Sequence, residues 1–276
     1  MGAHTIRPPM ALSSLVSRYD QLILDLDGCL WLGGEPIAGS VEAVTALREA
    51  GKRVAFATND SRHALEDHVR RLWRIGVQAS LADVVSSGAA MQHLLAETRQ
   101  GRSAYVIGTE ALRRHVADAG CRVLNGTDLA TRAELVVVAG TEDLVYEDLR
   151  DAVLALQRGA ELLATSRDPT LPMPDGLWPG TGAILAAVEV ASGATAAIVG
   201  KPEPQLFITA LDRLGEGRTL VVGDRLDSDI AAATKARLDS VLVLSGGTSR
   251  EQADAAEDPK PIAVRENLSE LVLGHG

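Results

Sequence analysis

The stretch QLILDLDG, residues 21–28, is an apolar run that ends in two acids and a glycine. An apolar run of this kind is the pattern of a strand buried on both faces. Acids at its carboxyl end are what a parallel α/β sheet presents to the crevice where such sheets take their ligands. Working outward, a helix pattern begins at Ser40, with Val41, Val44 and Leu47 on one stripe and Gly51 as its stop. RVAFATND, residues 53–60, reads as a second strand. Ser61 then opens a helix carrying Leu65, Val69, Leu72 and Trp73 on one face, ended by Gly76. Strand, loop, helix, strand, helix is the opening of a doubly wound sheet.

The last third repeats this pattern. Strands are expected at 196–202 (AAIVGKP), 218–224 (RTLVVGD) and 240–246 (SVLVLSG), with helices at 204–214 and 229–238 between them. The middle is also α/β, with strands at 103–108, 134–140 and 161–166 and helices near 110–119 and 143–158. The chemistry-bearing strands flank this middle, so the expected organisation is a catalytic core of residues 1–87 and 181–276 with an α/β cap inserted as residues 88–180. Residues 1–20 read as a loose leader outside the fold.

Composition narrows the function. With 27 Lys+Arg against 37 Asp+Glu the net charge is −10, which disfavours a dedicated nucleic-acid or membrane-surface protein. Aromatic residues make up 3%, too few for base-stacking platforms. No run approaches the roughly 18 apolar residues of a membrane span. Two cysteines, Cys29 and Cys121, make neither a disulfide scaffold nor a paired-cysteine zinc pattern, and they point to reduced thiols in a cytoplasmic protein.

Four strand-end motifs carry the chemistry. Asp25 and Asp27, at i and i+2, share one side of the chain, and Gly28 allows a tight turn beside them. One carboxylate of such a pair can attack phosphorus while the other protonates the leaving oxygen and later activates water; taken alone, the pair also suits a solvated strand end. Thr58, Asn59 and Asp60 end the second strand, where a hydroxyl and backbone N–H groups can hold phosphoryl oxygens or simply cap a helix. Lys201, between Gly200 and Pro202, can neutralise a transferring phosphoryl group or lie on a surface turn. It is no P-loop lysine, because Pro202 stands where Ser or Thr is needed. Asp224, Asp227 and Asp229 follow a buried strand and suit a hard divalent cation, with Mg²⁺ the natural choice, or an acidic helix N-terminus. No GxGxxG follows a strand, and neither HExxH nor GxSxG occurs.

The order DxDG, TN, KP, GDxxxxD resembles the haloacid-dehalogenase-like phosphohydrolases. DLDGCLWLGGEPIAGSVEAV, TND(S), GKPEPQLF and GDRLDSDI are similar to the subgroup of NagD-like, p-nitrophenyl and phosphoglycolate/glycerol-3-phosphate phosphatases, and the likeness runs from Tyr19 onward. The inserted segment resembles that subgroup's large α/β cap through residues 136–172 and 179–189. The resemblance implies Asp25 as nucleophile and metal ligand, and Asp27 as general acid/base with its backbone carbonyl on the metal. Thr58 and the Asn59 backbone become phosphoryl contacts, Lys201 the charge-neutralising lysine, Asp224 the acidic metal ligand and Asp229 its water-holding partner. It implies homodimerisation through the cap as well.

Two departures stand out. Asp60 replaces the third residue of the usual TNN, with consequences either for substrate charge or for the loop's own hydrogen bonds. The cap loop reads Thr165-Ser166-Arg167-Asp168 in place of TNPD, so Arg167 and Asp168 become candidate specificity residues, with a solvated loop arginine as the plainer reading of Arg167. Cys29 reads as packing, and Trp31 and Trp178 as packing residues whose loops can flank the site. The expected function is Mg²⁺-dependent hydrolysis of a small phosphorylated metabolite through an aspartyl-phosphate, with glycerol 3-phosphate or a similar polyol or sugar phosphate favoured. The rivals are a nucleoside 5′-monophosphate substrate, a phosphotransferase, and a non-catalytic binder on the same fold.

Overall fold

The computed structural model describes residues 11–173 and 176–274. The chain divides into two compact units, one of Met1–Phe56, Leu72–Ala79 and Leu214–Gly276, the other of Ala57–Arg71 and Ser80–Arg213.

In the first unit the strands lie in the order Ala263–Arg265, Asp239–Val243, Thr219–Gly223, Gln21–Asp25 and the start of Arg53–Thr58, whose last two residues belong to the second unit. The pairings Leu24 with Val222 and Gly223 with Leu242 run parallel. Every residue of Gln21–Asp25 and of Thr219–Gly223 is buried, which is why both read as unbroken apolar runs. Helix Ser40–Glu49 buries Ala43, Val44, Ala46 and Leu47, and Gly51 follows at φ 74°, the left-handed position that ends it. That helix packs on Leu268–Leu273.

Part of the expected leader belongs to this unit. Val16 and Tyr19 are fully buried, the Ser13 hydroxyl donates to the Leu271 carbonyl at 2.6 Å, and the Tyr19 hydroxyl donates to Asp239 at 2.8 Å. The first ten residues of that stretch lie outside the described residues.

The second unit holds its own parallel sheet, in the order Ala197–Ile198, Glu161–Ala164, Leu135–Val138, Ser103–Ile107, Arg122–Val123. Tyr105, Ile107, Val136, Val138, Leu185 and Val188 form its core with helices Tyr146–Gln157 and Thr181–Ser192. Strands Thr170–Met173 and Gly176–Pro179 make an antiparallel hairpin. Leu185 is completely buried there, so Leu185→Ala is expected to destabilise the protein by about 2–5 kcal/mol, read as a lowered urea midpoint at unchanged slope. Among the described residues no helix is long and apolar enough to cross a membrane.

Three local expectations change. The second helix starts at Leu65, not Ser61, because the Ser61 side chain is buried and donates to the Thr165 hydroxyl at 3.1 Å. Trp73 is 63% exposed, its ring N–H held by the Ala79 carbonyl, so the buried stripe of that helix runs through His68 and Leu72. The strand expected at 196–202 shortens to Ala197–Ile198, although the Val199 and Gly200 N–H groups still donate to the carbonyls of Ala164 and Thr165.

Candidate functional site

The acids of the first unit gather where two neighbouring parallel strands end. Asp25 is the last residue of Gln21–Asp25 and Asp224 the first after Thr219–Gly223, so the register of the pair brings both carboxyl groups to the same edge. One ligand atom each from Asp25, Cys29 and Asp224 lies within 4.8 Å of the others, and all three residues are buried. Buried acids at this spacing invite a cation, because charge left uncompensated there is costly.

The loops around Asp224 are built to close on it. A Cβ on Gly28 would lie 2.4 Å from an Asp224 carboxylate oxygen, and one on Gly246 would lie 2.1 Å from it. Gly28 also holds φ 83°, so glycine is required there for both space and conformation. The Gly247 N–H donates to Asp224, and the Ser245 hydroxyl donates to the Gly28 carbonyl at 2.6 Å. The SGG run 245–247, not singled out in the sequence, is thus part of the acid cluster's wall. Its signal was two adjacent glycines directly after a buried strand. Cys29, read as packing, sits among the possible ligands.

Asp27 lies one residue beyond Leu26, more exposed than Asp25, and accepts the Trp31 ring N–H at 2.8 Å. Trp31 is itself fully buried, so it fixes the orientation of Asp27. Asp229 is buried, accepts the Arg225 N–H at 3.1 Å and packs its side chain where any Cβ on Gly223 would fall. Asp227 pairs with Arg225 at the surface.

The second unit carries the remaining candidates. The Thr58 hydroxyl accepts the Asp60 N–H at 3.1 Å, which leaves its own proton to donate. Lys201 is 4% exposed, and its backbone is bonded to the Asn59 side chain. Asp168 accepts from the same Asn59 amide at 3.1 Å. Arg167 is committed to Glu189 through two hydrogen bonds of 2.9 and 2.7 Å, which tie the cap loop to helix Thr181–Ser192. Trp178, Leu171, Leu144, Ile184, Arg62 and Glu142 line a cavity of about 290 Å³ in this unit.

Asp60 serves its own loop. It accepts from the Arg62 N–H at 2.9 Å, from the Arg62 guanidinium at 3.2 Å and from the His63 ring at 2.7 Å. Burial pushes its carboxyl up, but the His63 hydrogen bond and the Arg62 charge outweigh that and hold it well below the usual carboxylate range. The same hydrogen bond raises His63, against the opposing effect of burial. The depressed Asp60 contributes stability above its unfolded value near 3.8, lost as pH falls through the folded value. The raised His63 contributes stability below its unfolded value near 6.5, lost as pH rises through the folded value. The deficit of His63→Ala against wild type in urea unfolding is therefore expected to be largest between about pH 4 and 6.5 and to vanish in alkali. His63 is half exposed, so the difference stays below about 1 kcal/mol.

Comparison with known proteins bears on these two constellations. A family model described as haloacid dehalogenase-like hydrolase matches residues 22–122, and one described as HAD-hydrolase-like matches residues 198–271. The chain is 36% identical to a D-glycerol 3-phosphate phosphatase of Mycobacterium tuberculosis over 94% of its own length and 73% of that protein's. It is 36% identical to human chronophin over 96% of both chains. Among solved structures, a glycerol phosphate phosphatase of Mycobacterium tuberculosis in complex with magnesium superposes with a TM-score of 0.88, at 36% identity, covering 95% of this chain and 79% of that one.

Proposed function

The chain belongs to the haloacid dehalogenase-like hydrolases and is a phosphoric monoester hydrolase, and we propose that its substrate is glycerol 3-phosphate or a similar short polyol or sugar phosphate. The observation that carries the chemistry is the buried convergence of Asp25 and Asp224 at adjacent strand ends. The substrate class is supported by the relative of 36% identity named for glycerol 3-phosphate.

The donor set fits Mg²⁺. Asp25 and Asp224 offer hard carboxylate oxygens within 4.8 Å, and the Asp27 backbone carbonyl completes the protein ligands we assign. When bound there, the ion supplies charge neutralisation and polarisation of the phosphoryl group. The rest falls to the chain. The Asp25 carboxylate attacks phosphorus, and the bond from phosphorus to the leaving oxygen breaks as Asp27 delivers its proton to that oxygen. Asp27 then takes a proton from water, whose oxygen attacks phosphorus, releasing inorganic phosphate and freeing Asp25. Thr58 and the Asn59 backbone hold phosphoryl oxygens, Lys201 neutralises their charge, and Asp229 holds water near Asp224. Residues 88–180 act as the substrate-selecting cap.

Phosphate release from p-nitrophenyl phosphate, glycerol 3-phosphate, phosphoglycolate, sugar phosphates and UMP tests the reading. Glycerol 3-phosphate or a short polyol phosphate is expected to give the highest kcat/KM. A preference for UMP overturns the substrate assignment, and transfer of phosphate to an acceptor without release overturns the hydrolytic mechanism.

A further inference from the structure

Lys201 is held by its backbone in an unusual way. Its N–H donates to Asn59 Oδ1 at 2.8 Å, and its carbonyl accepts from Asn59 Nδ2 at 3.0 Å. One side-chain amide thus binds both polar backbone groups of a single residue, as a neighbouring strand would. The need is local. The backbone bonds from the Val199 and Gly200 N–H groups to the carbonyls of Ala164 and Thr165 end before Lys201, whose N–H turns to Asn59, and Pro202 has no N–H to resume them.

The amide is itself oriented. Its nitrogen also donates to Asp168 Oδ2 at 3.1 Å, so both amide hydrogens are used. Turning the amide over would point its oxygen at two acceptors, the Lys201 carbonyl and the Asp168 carboxylate, and would leave the Lys201 N–H facing a donor. The main chain of Asn59 is pinned in turn by the Ser87 hydroxyl, which donates to its carbonyl at 2.7 Å. No slack remains on the lysine side. A Cβ on Gly200 would fall 2.5 Å from Asn59 Oδ1 and 2.3 Å from the Thr165 carbonyl oxygen.

We propose that the Asn59 side chain, oriented by Asp168, is the positioning residue for Lys201, so that the cap-loop acid acts on the phosphoryl-binding lysine through one amide. This rests on the reading of Lys201 as the group that neutralises the phosphoryl charge. Asn59 then has two separate duties, its backbone toward the phosphoryl group and its side chain toward the lysine. Asp168 contributes by holding Asn59, without touching substrate.

A double-mutant cycle tests it, with p-nitrophenyl phosphate turnover, calorimetric affinity for orthophosphate in the presence of Mg²⁺, and thermal unfolding as readouts. Asn59→Ala is expected to lower kcat by about 10- to 100-fold with KM changed less than about threefold, as a displaced charged group does. Orthophosphate affinity falls in Asn59→Ala and in Lys201→Ala alike, and the double variant is no worse than Lys201→Ala. Asp168→Ala reproduces a smaller loss, and Asp168→Asn, whose amide oxygen still accepts from Asn59, restores activity. Gly200→Ala, which presses on the amide from the far side, lowers kcat without altering a polar group. Equal losses from Asn59→Ala with and without Lys201 overturn the proposal, as does an Asp168→Asn variant no better than Asp168→Ala. Full activity and unchanged orthophosphate affinity in Lys201→Ala overturn the assignment of Lys201 itself, a result separable from failure of the clamp.

Discussion

Asp25→Asn is expected to abolish turnover, lowering kcat by at least about 10⁴-fold, because the amide is no nucleophile toward phosphorus. The substitution is nearly isosteric. Asp25 is 8% exposed at the end of a fully buried strand, so the variant keeps the packing of Leu22, Ile23 and Leu24. It also removes one negative charge from a cluster that holds Asp224 within 4.8 Å. Stability measured without divalent cation should therefore be equal to or above that of wild type, while activity disappears. Loss of activity with an unchanged or raised melting temperature separates a chemical role from a structural one. An Asp25→Asn enzyme that retains more than about a hundredth of wild-type kcat, well above the residue left when other nucleophiles are removed, would sink the aspartyl-phosphate mechanism.

What could be read in advance follows the physics of each segment. QLILDLDG was legible because burial on both faces leaves an unbroken apolar run, and because polar residues collect at the carboxyl edge of a parallel sheet. Helix Ser40–Glu49 was legible because one-sided burial imposes a 3.6-residue period and a left-handed glycine ends it. The failures share a cause in distant partners. Ser61 has the chemistry of a helix cap, but its hydroxyl is taken by Thr165, more than a hundred residues away. Trp73 fits the apolar stripe, yet its ring N–H finds the Ala79 carbonyl from an exposed position. Val16 and Tyr19 sit in a stretch without period, and only the Asp239 carboxylate and the Leu271 carbonyl reveal why the chain is held there. The amide of Asn59 was legible as part of a TN pair but not as a clamp, since its partners Asp168 and Lys201 are remote in sequence.

Chelation of divalent cations is expected to remove all turnover, and Mg²⁺ to restore it, with an opposite signature in stability. Asp25 and Asp224 present carboxylate oxygens within 4.8 Å of each other in a buried setting, crowded by Gly28, Gly246 and the Gly247 N–H. Two ionised carboxylates at that distance repel by on the order of 3 kcal/mol at an effective dielectric constant of about 20. The hydrogen bond from the Gly247 N–H offsets part of this, about 1.5–3 kcal/mol for a bond to a charged group. The cation-free protein thus gains when a cation neutralises the pair. Mg²⁺ should raise its melting temperature by an amount that grows with the logarithm of its concentration above Kd. Asp224→Asn reverses the sign. It retains an oxygen to accept from Gly247 but carries no charge, so without cation it should melt at or above the wild-type temperature, gain little from Mg²⁺, and lose on the order of 10²-fold or more in kcat/KM. The comparison needs only thermal unfolding of both proteins in EDTA and across a Mg²⁺ titration, beside phosphate release. A wild type whose melting temperature ignores Mg²⁺, or an Asp224→Asn variant stabilised by it as strongly as wild type, would show that the charge at Asp224 does not hold the ion, and the carboxylate cluster at the strand ends would lose its role in the chemistry.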